Sequence, residues 1–142
     1  MFFNMKRNFA YPFFALAIDI GGTKLGGAVL RYNDSEQQPE VVFEDKIPAQ
    51  AKEGIEVFGP NILNLAQNLK DKAADIDSSV PVLTIGMGCA GRISKQSGNV
   101  MTATDNFPGF VNYELCKNVS KKIGVPAFAL NDVQAHTMGE FR

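Results

Sequence analysis

A carboxylate, two glycines, a hydroxyl and an ammonium follow one another in Asp19-Ile20-Gly21-Gly22-Thr23-Lys24, at the end of an apolar run over 13–20. A charge in a strand built for burial is costly unless it is paired or bound to a cation. Adjacent glycines let the backbone approach an anion and turn its N–H groups toward it. Asp19 is therefore a candidate ligand for a hard cation, and Gly21, Gly22, Thr23 and Lys24 are candidate phosphate contacts. A plain β-turn with a surface lysine uses the same residue types. The spacing fits neither G-x-x-x-x-G-K-[ST] nor G-x-G-x-x-G. Three further segments carry polar groups at loop positions. One is Gly86-Met87-Gly88-Cys89-Ala90-Gly91-Arg92, a second Gly-rich turn. Another is the loop Thr104-Asp105-Asn106-Phe107-Pro108-Gly109-Phe110. The third is Asn131-Asp132, just past an apolar stretch, where strand ends of open α/β sheets hold ligands and where helices are also simply capped.

The elements that must position these groups follow from periodicity. Strands are expected over 13–20, 25–32 and 40–48, joined by short turns into an antiparallel meander. Apolar residues recur at helical spacing over 52–76, with Pro60 as the start or a kink. A buried strand follows over 82–88, then an extended piece over 100–104. A helix is expected over 113–123, stopped by Gly124, then a strand over 125–130 and a helix from Val133. The order β-β-β-α-β-α-β-α predicts an α/β fold: a mixed five-stranded sheet, three strands in a meander and two parallel, with helices on its faces.

At 142 residues with 45% apolar and 20% charged residues, the chain suits one globular domain with a proper core. A net charge of −1 gives no electrostatic reason to expect nucleic acid or an anionic membrane as partner. Cys89 and Cys116 have no C-x-x-C spacing, so neither a disulfide framework nor a zinc site is expected, and a reducing cytoplasm is. One histidine, His136, excludes a histidine-cluster metal site and is read as structural or exposed. Lys6 and Arg7 precede an apolar run, and Ala15-Leu16-Ala17 resembles a signal-peptidase site. Cleavage there would delete most of the strand that carries Asp19, so residues 1–12 are read as an N-terminal extension and no secretion is expected. No apolar run approaches the roughly 18 residues of a membrane span.

Taken in order, the four segments resemble the amino-terminal lobe of the ROK family, which comprises sugar kinases and sugar-responsive repressors with the actin-like (ribonuclease H-like) ATPase fold. Ile18 to Lys24 resembles its first phosphate motif, held in a β-hairpin. Gly86 to Arg92 resembles its G-x-G-x-P-G segment, with Ala90 for Pro. Asn106 to Phe110 resembles its N-x-P-G-W sugar loop, with Phe110 for Trp. Ala129-Leu130-Asn131-Asp132-Val133-Gln134-Ala135 resembles its E-N-D-A-N-A segment, and Gly139-Glu140 the G-E that follows.

The resemblance implies ATP-dependent phosphorylation of a hexose or amino-sugar hydroxyl. Asp132 would be the base, and Asn131, Gly91, Arg92, Thr104 and Asn106 would line the sugar pocket. Asp19 would hold Mg²⁺ through water, with ATP phosphates on Gly21, Gly22, Thr23 and Lys24. Residues 13–142 would be the first lobe, without the second lobe that carries the adenosine-binding turns and the Cys-rich zinc motif. Structural zinc is accordingly not expected, the lobe alone is expected to be inactive, and its exposed cleft side is expected to drive self-association. The alternatives are the sugar-sensing domain of a repressor and a non-catalytic sugar binder. The dozen residues before the first strand are too few for a DNA-binding helix-turn-helix.

Overall fold

The computed structural model describes residues 10–89, 91–104 and 106–131, with the backbone alone at Asn131. Ala90, Asp105, Asp132, His136 and the helix expected from Val133 lie outside the described residues. The strands are β1 (Phe13–Ile20), β2 (Lys24–Tyr32), β3 (Glu40–Pro48), β4 (Val82–Cys89), β5 (Arg92–Ile93), β6 (Val100–Thr102) and β7 (Ala127–Asn131). The helices are α1 (Ile55–Ile76) and α2 (Leu115–Ile123). Five strands form one sheet in the order β3-β2-β1-β4-β7. β1 pairs antiparallel with β2 and parallel with β4, and β4 pairs parallel with β7. This is the mixed sheet that the sequence predicts, in the arrangement of an actin-like ATPase lobe.

The core lies between one sheet face and both described helices. Phe14, Leu16, Ile18 and Ile20 of β1 alternate into it, as a strand's period of two requires. They meet Phe58, Ile62, Leu65, Ala66, Leu69 and Ala73, the three-and-four-spaced stripe of α1. Each fully buried Leu or Ile contributes about 2 kcal/mol. Gly27 permits this approach: a Cβ there would sit 2.9 Å from Leu69 Cδ1. From α2, Leu115, Val119 and Ile123 join the same cluster. Lys70 of α1 donates to the Ile123 carbonyl at 2.7 Å, completing the C-terminal turn of α2 before the left-handed Gly124.

Some boundaries differ from expectation for physical reasons. α1 begins at Ile55, and Pro60 lies inside it as its sixth residue, exposed, giving up the backbone bond to the Glu56 carbonyl. A 3-10 turn at Ala51–Glu53 and Gly54 at φ 97 separate α1 from β3. β5 and β6 form a separate two-stranded ribbon, where a turn and an isolated extended piece are expected. β7 runs through Asn131, which pairs with Cys89.

The opposite sheet face starts as a small aromatic cluster. Phe13 stacks on Tyr32 at 4.9 Å and 7°, and Tyr11 packs on Phe13 at 5.3 Å. Toward the other end of β1 this face thins to small residues. Ala17 lies between Ala28 and Gly86, and Asp19 lies between Gly26 and Gly88.

Candidate active site

Asp19 is exposed, so the burial argument that singles it out in the sequence does not apply: the face on which it stands is not covered there by the described residues. The sheet supplies a different reason to notice it. Both ladder neighbours are glycines, so no side chain from β2 or β4 crowds the carboxylate. Among the described residues no three His, Cys, Asp or Glu side chains gather as a metal cage. A hard cation beside a single carboxylate keeps most of its waters, and the absence of side chains at Gly26 and Gly88 leaves room for them.

The β1–β2 turn is a tight hairpin closed by Gly21 N–H donating to the Lys24 carbonyl at 3.1 Å. A Cβ on Gly21 would lie 2.9 Å from that oxygen. At the tip, the Thr23 carbonyl accepts from Ala49 N–H at 2.9 Å and the Gly22 carbonyl from Ala51 N–H at 3.4 Å. Ala49 and Ala51 are fully buried in the β3–α1 connection. Thr23 and Lys24 are exposed, and neither Asp19 nor Lys24 forms a salt bridge among the described residues.

Gly91 sits at φ +106, and a Cβ there would fall 2.2 Å from the Thr102 carbonyl oxygen, so only glycine fits. Arg92 N–H donates to Thr102 Oγ1 at 3.3 Å, leaving its side chain exposed on the ribbon. The Thr104 carbonyl accepts from Phe107 N–H at 3.0 Å, folding the loop that presents exposed Thr104 and Asn106. Phe107 and Phe110 anchor this loop inward on Phe58, at ring distances of 5.7 and 5.1 Å. Phe107 also reaches the hairpin: a Cβ on Gly22 would be 3.6 Å from its Cζ. One aromatic ring thus lies between the loop and the turn. Cys89 is buried, and burial pushes the Cys116 thiol up to about 11.

Register brings the segments together. Because β1, β4 and β7 are parallel, their carboxyl ends share one edge of the sheet, and Ile20, Cys89 and Asn131 form a single row across it. Asp19 precedes the first of these residues and Asp132 follows the last. Two strand spacings, about 10 Å, separate the ends of that row. The turn 21–24, Gly91 and Arg92, the loop at 104–110 and Asn131 therefore all belong to this edge or are tied to it, whereas Asp132 and the Asn131 side chain are not described. Gly26 and Phe58 escape the sequence reading as contributors, and Gly88 and Phe107 fall within its segments without a role being assigned to them. The adjacent glycines of β2 and the glycines alternating with Met87 in β4 are the signal that could have found Gly26 and Gly88.

Comparisons with known proteins agree with this architecture. The model of the ROK family matches residues 15–142. An uncharacterised protein of Clostridium perfringens is 24% identical over 124 residues, covering 87% of this chain and 38% of that protein. A ROK family glucokinase from Streptomyces griseus, solved with glucose and AMPPNP, superposes with a TM-score of 0.69 at 22% identity, over 91% of this chain and 36% of that one. A ROK hexokinase from Thermus thermophilus gives 0.64 at 23% identity, over 84% and 35%. A ROK family transcriptional regulator, a homologue of the E. coli MLC protein, gives 0.71 at 19% identity, over 90% and 30%. The chain spans about a third of the length of these relatives, between 30% and 38%.

Proposed function

We propose a function on the premise that the chain belongs to the ROK family: it is the first lobe of a sugar kinase, which transfers a phosphoryl group from ATP to a hydroxyl of a hexose or amino sugar. The observation that carries this reading is the row Ile20–Cys89–Asn131, which sets Asp19, the glycine turn and the residue before Asp132 along one sheet edge. ATP with Mg²⁺, when bound, would supply the phosphoryl group and offset its charge. Gly21, Gly22, Thr23 and Lys24 would bind the phosphates, and Asp19 would hold the magnesium. The glycine-flanked space at Asp19 fits a hydrated cation, and the paired glycines of the turn fit an anion.

A neutral alcohol attacks poorly, so Asp132 accepts the proton of the sugar hydroxyl as it attacks. Phosphoryl transfer otherwise demands positioning and charge compensation, which the rigid strand ends support. Asn131, Gly91, Arg92, Thr104 and Asn106 read the sugar hydroxyls, and a wrong epimer leaves some of those hydrogen bonds unmade. The working environment is the cytoplasm, where ATP is available. No helix among the described residues is long and apolar enough to cross a membrane.

The kinase reading is tested by sugar-dependent ADP formation across a panel of hexoses and amino sugars, using the protein as the cell makes it. Wild type should respond to at least one sugar, and Asp132→Asn should lower kcat by about 10²–10⁴. No sugar-dependent ADP formation by the wild type, with sugar-dependent DNA retardation instead, would transfer the lobe to the regulator class.

A further inference from the structure

An antiparallel hydrogen-bonded pair normally exchanges two bonds, each residue donating and accepting. Thr23 and Ala49 make only one of them. Ala49 N–H donates to the Thr23 carbonyl at 2.9 Å, but the Ala49 carbonyl accepts from Asn61 Nδ2 of α1, also at 2.9 Å, and not from Thr23 N–H. The same amide donates to Gln50 Oε1 at 3.1 Å. Gln50 is held at φ 58, ψ 39, a left-handed conformation that costs a non-glycine residue about 1 kcal/mol. Beyond it, Ala51 N–H holds the Gly22 carbonyl at 3.4 Å.

Peptide planarity turns these contacts into a direction. In a trans peptide the N–H points opposite to the preceding carbonyl. The Gly22 carbonyl points at Ala51, so the Thr23 N–H points away from the 49–51 segment. That segment follows β3, which lies on the far side of β2 from β1, β4 and β7. The Thr23 N–H therefore points to the side of the turn away from the chain that continues β3, and no acceptor for it is found among the described residues.

We propose that Asn61 is a positioning residue for the phosphate turn: it satisfies the Ala49 carbonyl in place of Thr23 and so releases the Thr23 N–H for an anion. This rests on the reading that the turn binds the phosphates of a nucleotide. It adds a residue on α1, outside all four sequence segments, to the machinery of that site. Without the Asn61 donor, the Ala49 carbonyl reclaims the Thr23 N–H, the ladder closes, and the Gly22 carbonyl leaves Ala51.

The test uses the isotopically labelled 142-residue chain with Asn61→Ala and Asn61→Asp. The second variant keeps the shape but has no donor. Exposed Asn64→Ala on the same helix is the control. Amide exchange at Thr23 should slow and at Ala51 quicken, each by about tenfold, the worth of one hydrogen bond, with core amides unchanged. Titration with magnesium tripolyphosphate should shift the Thr23 amide of the wild type, and the dissociation constant should rise about tenfold in both variants but not in the control. Unchanged exchange at Thr23 and Ala51 overturns the brace. Altered exchange with unaltered affinity overturns its role in positioning. A wild type that does not bind tripolyphosphate overturns the phosphate reading instead, and exchange still decides the brace.

Discussion

Gly22 and Gly91 are both loop glycines beside the strand ends, yet they are glycine for different reasons. Gly91 has φ +106 and the Thr102 oxygen where a Cβ would be. Gly91→Ala should therefore cost about 2–4 kcal/mol in urea unfolding. A Cβ on Gly22 meets only the Phe107 ring, at 3.6 Å, so Gly22→Ala should change stability by no more than about 0.5 kcal/mol. If Gly22 is glycine to let an anion approach, that near-silent variant should still weaken magnesium tripolyphosphate binding severalfold by calorimetric titration. Equal affinity would make Gly22 an ordinary turn residue. Cys116 offers a separate check on the packing. Its thiol is pushed by burial from an ordinary 9.0 to about 11, so alkylation by iodoacetamide should keep accelerating up to pH 11 rather than level off near 9. Asp19 shows how a residue can be legible for an incomplete reason. Its place in an apolar run makes it conspicuous, but its freedom comes from Gly26 and Gly88 on two other strands, and no local window contains that pairing.

Elements were legible where period and punctuation agreed. β1 and β3 coincide with their expected spans because alternation and flanking turn residues both mark them. The start of α1 was less so. The helical pattern continues back to Lys52, whereas left-handed Gln50 and Gly54 break the chain to reach the β1–β2 turn, a tertiary demand that periodicity does not carry. The β5–β6 ribbon was missed because its strands are only two and three residues long and are fixed by Gly91 folding onto Thr102. The α1–β4 connection makes a pH-dependent contribution that can be measured. Asp77 Oδ1 accepts from Ser79 N–H at 3.0 Å and from its hydroxyl at 2.6 Å, and Oδ2 lies 3.6 Å from Arg31. The hydrogen bonds from Ser79, with Arg31 assisting, hold the carboxyl below its ordinary 3.8. A depressed folded value means that the contribution is present above pH 3.8 and is lost as pH falls through the lower folded value. Asp77→Asn should thus be less stable than wild type at pH 7, with the gap closing below pH 3.8 in thermal unfolding. A gap that stays constant with pH would remove the carboxylate from the account.

At the scale of the molecule, the described residues form one continuous core against one sheet face, while Val41, Met101 and Val111 remain about half exposed at 53%, 48% and 45%. Met101 and Val111 are near neighbours, because Asn112 N–H donates to the Val100 carbonyl at 2.7 Å. We expect the 142-residue chain to self-associate in sedimentation at high concentration, and Met101→Lys with Val111→Lys to reduce it; a clean wild-type monomer would contradict this. The proposed chemistry depends on the parallel ends of β1, β4 and β7 serving one site. Mn²⁺ with ATP, added to the labelled chain, tests that directly through paramagnetic broadening. The amides of Ile20, Gly22, Thr23, Gly88, Cys89 and Asn131 should broaden together, while those of Phe13, Leu83 and Ala127 at the opposite strand ends stay sharp. Broadening that reaches the turn but spares Asn131, or that centres elsewhere, would separate Asp19 from Asp132 and contradict the account.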